Sequence, residues 1–173
     1  MKEVSIEEAW EQRYPEGIVL VTCVDEKGRP NIIPLGWSMK TSFDPPMVAI
    51  SVGKTRYSHR LISKQREFVL AFPGEDLKDE VLYCGTHSGK DVDKFKQTGL
   101  AALKAKEISP PLIEQCLANM ECKVVGELDT GDHTIFCGQI LKAYKIGKKL
   151  KRLYSLGGQS IGTVVADKRK KGF

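Results

Sequence analysis

Much of this chain can be read from what it lacks. It has five cysteines, Cys23, Cys84, Cys116, Cys122 and Cys137, and no two of them form a Cys-x-x-Cys pair. An odd number cannot all pair within one chain. Cys23, Cys122 and Cys137 fall in strand-like runs, where a thiol acts as a small buried hydrophobe. The only histidines, His59, His87 and His133, are scattered, so no metal site is expected. No apolar run approaches the roughly 20 residues that span a bilayer, and the opening MKEVSIEEAW lacks the basic-then-apolar pattern of a secretory signal. A cytoplasmic protein without a membrane partner is therefore expected. No Gly-x-Gly-x-x-Gly follows any strand-like run, which argues against a Rossmann cofactor domain. Gly53-Lys54-Thr55 resembles the end of a Walker loop, but position 48, where such a loop needs its first glycine, is Val.

What remains is an ordinary globular composition, 41% hydrophobic and 28% charged, in 173 residues. That length suits one domain, residues 1–173, able to bury a core without disulfides or metal. The net charge of +5 is unevenly placed. Lys142, Lys145, Lys148, Lys149, Lys151 and Arg152 crowd one segment, and 165–173 forms a basic tail around Lys168-Arg169-Lys170-Lys171. A nucleic-acid-binding barrel is the reading such a patch invites. No aromatic-rich RNA-binding strand or helix-turn-helix signature accompanies it, so a solvated basic face is preferred.

Along the chain, Ser5-Ile6-Glu7-Glu8 is a capping box that opens a short helix over residues 5–13. Gly17–Val24 is a rich β-run, Asp25–Arg29 a turn, and Asn31–Thr41 a returning strand interrupted by Pro34 and Gly36. The strand Met47–Val52, a helix over Tyr57–Lys64, the strand Glu67–Phe72 and a helix over Glu75–Tyr83 follow. Then come a loop over Cys84–Lys90 and a short helix over Asp91–Gln97. After the break at Ser109-Pro110-Pro111, two long β-runs, Leu117–Leu128 and His133–Tyr144, meet at Asp129-Thr130-Gly131-Asp132, a hairpin signal. Consecutive strands joined by tight turns favour antiparallel pairing, and the helices are too few to cover both faces of a parallel sheet. The expected fold is mainly β, a small antiparallel barrel with peripheral helices.

The most informative stretch is Asn31–His59. Its second β-run empties into Gly53-Lys54-Thr55-Arg56-Tyr57-Ser58, which sets two cations and several hydroxyls before a helix. A phosphate dianion needs such charge, hydroxyls and backbone N–H donors. The alternative is an ordinary turn in which Thr55 or Ser58 caps the helix. Trp37, on the preceding strand, offers an apolar wall to a ring system, or else a core residue.

Taken together and in order, several motifs become specific. Phe43-Asp44-Pro45-Pro46 leads into Lys54-Thr55-Arg56-Tyr57-Ser58. Cys84-Gly85-Thr86-His87-Ser88-Gly89-Lys90-Asp91-Val92-Asp93-Lys94-Phe95 follows, and Pro111-Leu112-Ile113-Glu114 precedes a hairpin whose turn is Gly131-Asp132-His133. This order, over roughly Pro15 to Gly158, resembles the flavin reductase-like proteins of the FMN-binding split-barrel group. The resemblance implies a homodimer of antiparallel six-stranded split β-barrels with non-covalent FMN and NAD(P)H as co-substrate. It implies that Trp37, Ser38, Met39, Lys40 and Thr41 line the flavin ring, largely through backbone groups. Ser51, Lys54, Thr55, Tyr57 and Ser58 would surround the phosphate. Asn31, Thr86, Ser88, Lys94 and Phe95 would complete the pocket, on the same or the neighbouring subunit's flavin. His133 would stand near the nicotinamide as the catalytic residue. Where such proteins carry small hydroxyl residues before the tryptophan, this chain has Pro34-Leu35-Gly36.

The function so implied is a flavin or ferric reductase that passes hydride from nicotinamide to FMN and electrons to an unnamed acceptor. A flavoredoxin-like carrier is the alternative. Hydride transfer to a flavin demands no protein nucleophile, which suits a chain with no Ser-His-Asp or paired-carboxylate constellation.

Overall fold

The computed structural model describes residues 1–158 and 160–165; the basic-tail assignment therefore lies almost wholly outside the described residues. In chain order the elements are α1 (Ile6–Trp10), β1 (Glu16–Gly17), β2 (Val19–Val24), β3 (Pro30–Leu35), β4 (Ser38–Ser42) and β5 (Met47–Gly53). Then follow α2 (Tyr57–Gln65), β6 (Glu67–Phe72), α3 (Lys78–Thr86), α4 (Lys94–Thr98), β7 (Ala102–Leu103) and β8 (Leu112–Ile113). The chain continues through β9 (Ala118–Thr130), β10 (His133–Lys145), β11 (Tyr154–Gly157) and β12 (Ser160–Gly162). No helix among the described residues is long and apolar enough to cross a membrane.

The main sheet is antiparallel and has the order β3-β2-β6-β9-β10-β5-β4. Seven strands stand where six were expected, because the run Asn31–Thr41 divides at Gly36-Trp37 into β3 and β4. Those two halves form the opposite edges of the sheet, so the barrel is not closed, and Trp37 sits at the split. Its carbonyl accepts from the Ser51 N–H at 2.9 Å, which ties the crossing to β5.

Strand periodicity explains where the core sits. Every residue of β2 is buried. Val19, Val21 and Cys23 face one cluster with Ile50, Val52, Phe68 and Phe136 inside the curled sheet. Leu20 faces a second cluster with Ile32, Val81, Cys84 and Phe95, built beneath α3 and α4. A strand covered on both faces reads as a continuous apolar run, which is how Val19–Val24 reads. Gly138 in β10 leaves the space that the Phe68 ring fills: a Cβ there would stand 2.6 Å from it.

Local signals placed several boundaries well. Ser5 accepts from the Glu8 N–H at 3.1 Å, although α1 ends at Trp10 and a 3₁₀ turn covers Glu11–Arg13. β6 spans the expected residues. The β9–β10 hairpin closes more tightly than expected, with Thr130 opposite His133 and Gly131 at φ +56°. α3 extends through Thr86, which shortens the expected loop, and the third short sheet of β1, β11 and β12 had no signal in the sequence.

Candidate functional site

Beside the split lies a cavity of about 720 Å³. Its lining draws together Asn31 and Pro34 of β3, Trp37, the Gly53–Ser58 loop, the end of α3 through Gly89, Lys94 of α4, and His133. Arg13 and Tyr14 close it from the N-terminal segment, and Ser155, Gly158 and Ile161 from the C-terminal one.

The floor is polar and buried. Asn31 is 2% exposed and Ser58 3%. The Asn31 side-chain amide donates to the Ser58 hydroxyl at 2.7 Å, so Ser58 is bound sideways. No side chain caps α2, which excludes the ordinary capping role weighed for Thr55 or Ser58. Asn31 Oδ1 has no partner and packs against Gly89, where a Cβ would meet it at 1.8 Å; only glycine allows the 87–90 segment to approach this closely.

Lys94 is 4% exposed. Its Nζ donates to the Ile32 and Cys84 carbonyls, each at 2.7 Å. Burial holds this ammonium below its ordinary range, and nearby Arg56 adds to the effect. Among the described residues neither Lys94 nor Arg56 has a carboxylate within ion-pair distance. The cavity thus presents two cations without a carboxylate partner, Lys94 buried and Arg56 exposed, and shares its lining with the hydroxyls of Thr55 and Ser58.

The aromatic wall is Trp37, 44% exposed. Its ring centroid lies 4.8 Å from that of His133, tilted by 40°. His133 Nδ1 stands 2.7 Å from Asp132 Oδ1; a carboxylate only accepts, so Nδ1 carries the proton and Nε2 is left towards Gly53. The Lys54 N–H donates to the Asp132 carbonyl at 2.9 Å, which fixes the hairpin against the loop after β5.

Nine of the sequence-predicted residues meet in this cavity: Asn31, Trp37, Thr55, Tyr57, Ser58, Thr86, Ser88, Lys94 and His133. The rest do not. The Lys54 ammonium lies 3.5 Å from Asp129 Oδ1, outside the cavity. Phe95 is a core residue, packed in the cluster beneath α3 and α4. Ser38, Met39, Lys40 and Ser51 line a second cavity of about 840 Å³ on the other side of Trp37, together with Trp10, Val48, Phe72, Met120 and Ile140. Thr41 lines neither. Sequence reasoning missed Arg13 and Tyr14, which carry no motif. It also passed over Arg56, although it stands inside the Lys54–Ser58 motif.

Four of the five thiols are buried. Burial pushes Cys23, Cys116 and Cys122 up to about 12 and Cys84 to about 11. No group of three metal-ligating side chains occurs among the described residues. Part of the basic segment is ion-paired: Lys142 with Glu107 at 2.9 Å and Lys148 with Asp76 at 4.0 Å.

An aromatic wall, one buried and one exposed cation and the hydroxyls of Thr55 and Ser58, in a cavity of the size that holds small ligands, fit a planar phosphorylated cofactor. Comparison with known proteins points the same way. The model of the flavin reductase like domain matches residues 12–159. The chain is 38% identical to an uncharacterised protein of Archaeoglobus fulgidus over 80% of both chains. It is 27% identical to a flavin reductase of Pseudomonas putida, over 84% of this chain and 82% of that one. Other relatives, from Pyrococcus abyssi, Escherichia coli and Aeropyrum pernix, are matched over only 56–63% of their own length. Among solved structures, flavoredoxin from Methanosarcina acetivorans superimposes with a TM-score of 0.85 at 26% identity, over 98% of this chain and 95% of that one.

Proposed function

This chain belongs to the flavin reductase-like family, and we propose that it is an FMN-dependent oxidoreductase that accepts hydride from NADH or NADPH and passes electrons to a small acceptor. One observation carries the reading: the Trp37 ring forms a wall of the same cavity whose floor holds the buried Lys94 and Ser58, with Arg56 exposed at its rim. A flavin mononucleotide asks for both, a flat apolar surface for its ring and buried positive charge for its phosphate. Bound there, the flavin supplies a two-electron centre that takes hydride directly.

The protein's own residues bind, orient and exclude. Trp37 fixes the plane against which a ring lies. Ser58, tied to Asn31, presents a hydroxyl held in one orientation by a buried partner. His133, held to Asp132 through Nδ1, contacts the incoming nicotinamide nucleotide without a proton transfer being required of it. No acid–base pair is needed beyond these groups.

Completion of the active molecule as a homodimer is part of the proposal. The second cavity is walled by apolar strand residues, and Met39 and Trp10 are 60% and 56% exposed on it. An apolar face of that kind is normally covered.

The likeness to flavoredoxin favours a second reading, an electron carrier of the same fold with little nicotinamide activity. Anaerobic absorbance of the FMN-loaded protein separates the two. Bleaching of the flavin band within seconds of adding NADH or NADPH is expected of a reductase. A band that stays oxidised with both nucleotides but bleaches with dithionite means a carrier. Protein that takes up no flavin overturns both.

A further inference from the structure

The second cavity is more than an exposed apolar face, because it reaches into one end of the barrel. Val48 near the start of β5, Phe72 at the end of β6, Met120 near the start of β9 and Ile140 in the second half of β10 all line it, and all belong to or pack against the cluster inside the curled sheet. A barrel mouth of about 840 Å³ is of a size that holds a small ligand. Into this apolar setting the chain puts a guanidinium. Arg152 is half-buried and lies across the Phe72 ring, 4.3 Å from its centroid. Its Nε is shut off from water and has no acceptor, and its one side-chain bond, from Nη2 to the Ile18 carbonyl, is long at 3.4 Å. Among the described residues no carboxylate stands within ion-pair distance of it. Lys40, the other cation of the lining, has none either and lies over the Phe43 ring. The single carboxylate of the lining, Glu16, is held by Arg13 at 3.2 Å. A charge half out of water is ordinarily met by an opposite one, and here the protein supplies none.

We propose that this barrel mouth binds an elongated apolar monocarboxylate, with its hydrocarbon body against Val48, Met120 and Ile140 and its acid group on the terminal nitrogens of Arg152. A guanidinium offers five N–H donors in a planar fork that matches the two oxygens of a carboxylate, and the protein engages one of them. The apolar body accounts for the walls and the acid group for the guanidinium; either alone leaves the other unexplained. A purely structural Arg152, tying the C-terminal segment to Ile18 and Phe72, makes a different prediction: its loss lowers stability, and the cavity takes a neutral chain as readily as an acid. A second copy of the protein is a different occupant again. It would lie on the exposed rim, at Met39 and Trp10, whereas this seat lies behind that rim. The site stands apart from the flavin reading, since the two cavities share only the wall of Glu16, Gly36 and Trp37.

The chain's two tryptophans, Trp10 and Trp37, both line this cavity, so tryptophan emission reports its occupancy directly. The test titrates decanoate, below the concentration at which it forms micelles, and 1-decanol, the same chain without the charge, into the wild type, Arg152→Gln and Arg152→Lys. The wild type is expected to bind decanoate saturably and about tenfold or more tighter than decanol, as a charge-assisted contact permits. Arg152→Gln should remove that preference while moving decanol less than about threefold. Lysine keeps a cation over Phe72 without the fork, so Arg152→Lys remains informative where glutamine fails to fold; it should cut the preference about threefold or more. The absence of a saturable change in the wild type, equal affinity for acid and alcohol, or a preference that survives intact in either folded variant overturns the proposal. Light scattering on the same samples tests the other occupant. Binding at unchanged particle mass supports a seat inside the barrel. A mass that halves as decanoate binds gives the face to a second copy and overturns it.

Discussion

Two cavities meet at Trp37, and they are built in opposite ways. The polar one is assembled from segments far apart in the chain: the N-terminal turn, β3, the loop after β5, the end of α3, α4, the β9–β10 hairpin and the C-terminal strands. The apolar one is largely a sheet surface, built from residues of β4, β5, β6, β9 and β10 with Trp10 and Arg152 at its margin. The first suits a small ligand, since many elements each contribute one aimed group. The second suits a broad partner, since pleated strands offer area and few polar groups. A run of sequence that crosses from one to the other, as Pro34–Lys40 does, belongs to both. Contiguity in sequence is thus a poor guide to which cavity a residue serves.

The comparison breaks if substitutions in the apolar cavity alter ligand binding as much as assembly. Met39→Glu places a charge on the exposed apolar face and, if that face joins two copies, does so twice in a symmetric interface. At about 2 kcal/mol for each lost central contact, the dimer is expected to weaken roughly a thousandfold. Light scattering at micromolar concentration should then report the 19.3 kDa chain in place of twice that mass. A variant that stays dimeric, or a wild type already monomeric, assigns the face some other role.

Ser58→Ala against Lys54→Ala sharpens it from the other side. Both belong to one loop motif, but only Ser58 lines the polar cavity. Loss of a buried hydroxyl aligned by Asn31, whose amide would keep only the Cys23 sulfur, should remove a ligand contact of about 1–2 kcal/mol, so FMN affinity should fall roughly tenfold. Lys54→Ala removes an exposed pair with Asp129 and should change affinity less than threefold. Equal losses would mean that the loop rearranges around its ligand.

His133→Ala comes next. The ring touches Trp37 and faces the cavity, but its hydrogen bond goes to Asp132 in its own turn. Flavin reduction at sub-saturating nucleotide is expected to slow about fivefold to tenfold, the loss of one modest contact, while FMN stays bound. Rates unchanged with both NADH and NADPH make His133 a turn residue.

How much of this was legible beforehand follows from the range over which each feature is determined. β6, α2 and the long hairpin are set by a short continuous apolar run, a helix period and a glycine at positive φ, so Glu67–Phe72 could be read directly. The division of Asn31–Thr41 was half visible, in Pro34 and Gly36, but its consequence was not. That β3 and β4 end at opposite edges depends on the closure of the whole sheet. For the site, Ser58, Trp37 and Lys94 were legible because they stand in motifs. The direction each side chain takes was not, since it depends on long-range partners: Asp129 draws Lys54 away from the cavity, while the carbonyls of Ile32 and Cys84 hold Lys94 in it. Arg13 and Tyr14 enter from a segment with no pattern, carried there by the pairing of β1 with β11.

The smallest expected effect concerns His59, beneath the hairpin that separates the two environments. His59 Nε2 lies 2.9 Å from the Thr134 hydroxyl. That hydroxyl donates to Asp129 Oδ1 at 3.0 Å, so it accepts from the imidazole, and Nε2 carries the proton of a neutral ring. Burial lowers the His59 pKa below its usual value of 6.5, and the nearby Lys54 charge adds to this against the opposing pull of Asp129. The unfolded chain then binds this proton more readily than the folded one. Stability is fully present above about pH 6.5 and declines as pH falls through the interval down to the lowered folded-state value. His59→Gln keeps a donor towards Thr134 without titrating, so its melting temperature should fall less than that of the wild type between pH 7 and pH 5. Because the ring is only partly buried, the difference should be a few degrees at most. Parallel melting curves for the two proteins across that interval would show that His59 titrates alike in both states and that the hairpin is held by Lys54 and Asp129 alone.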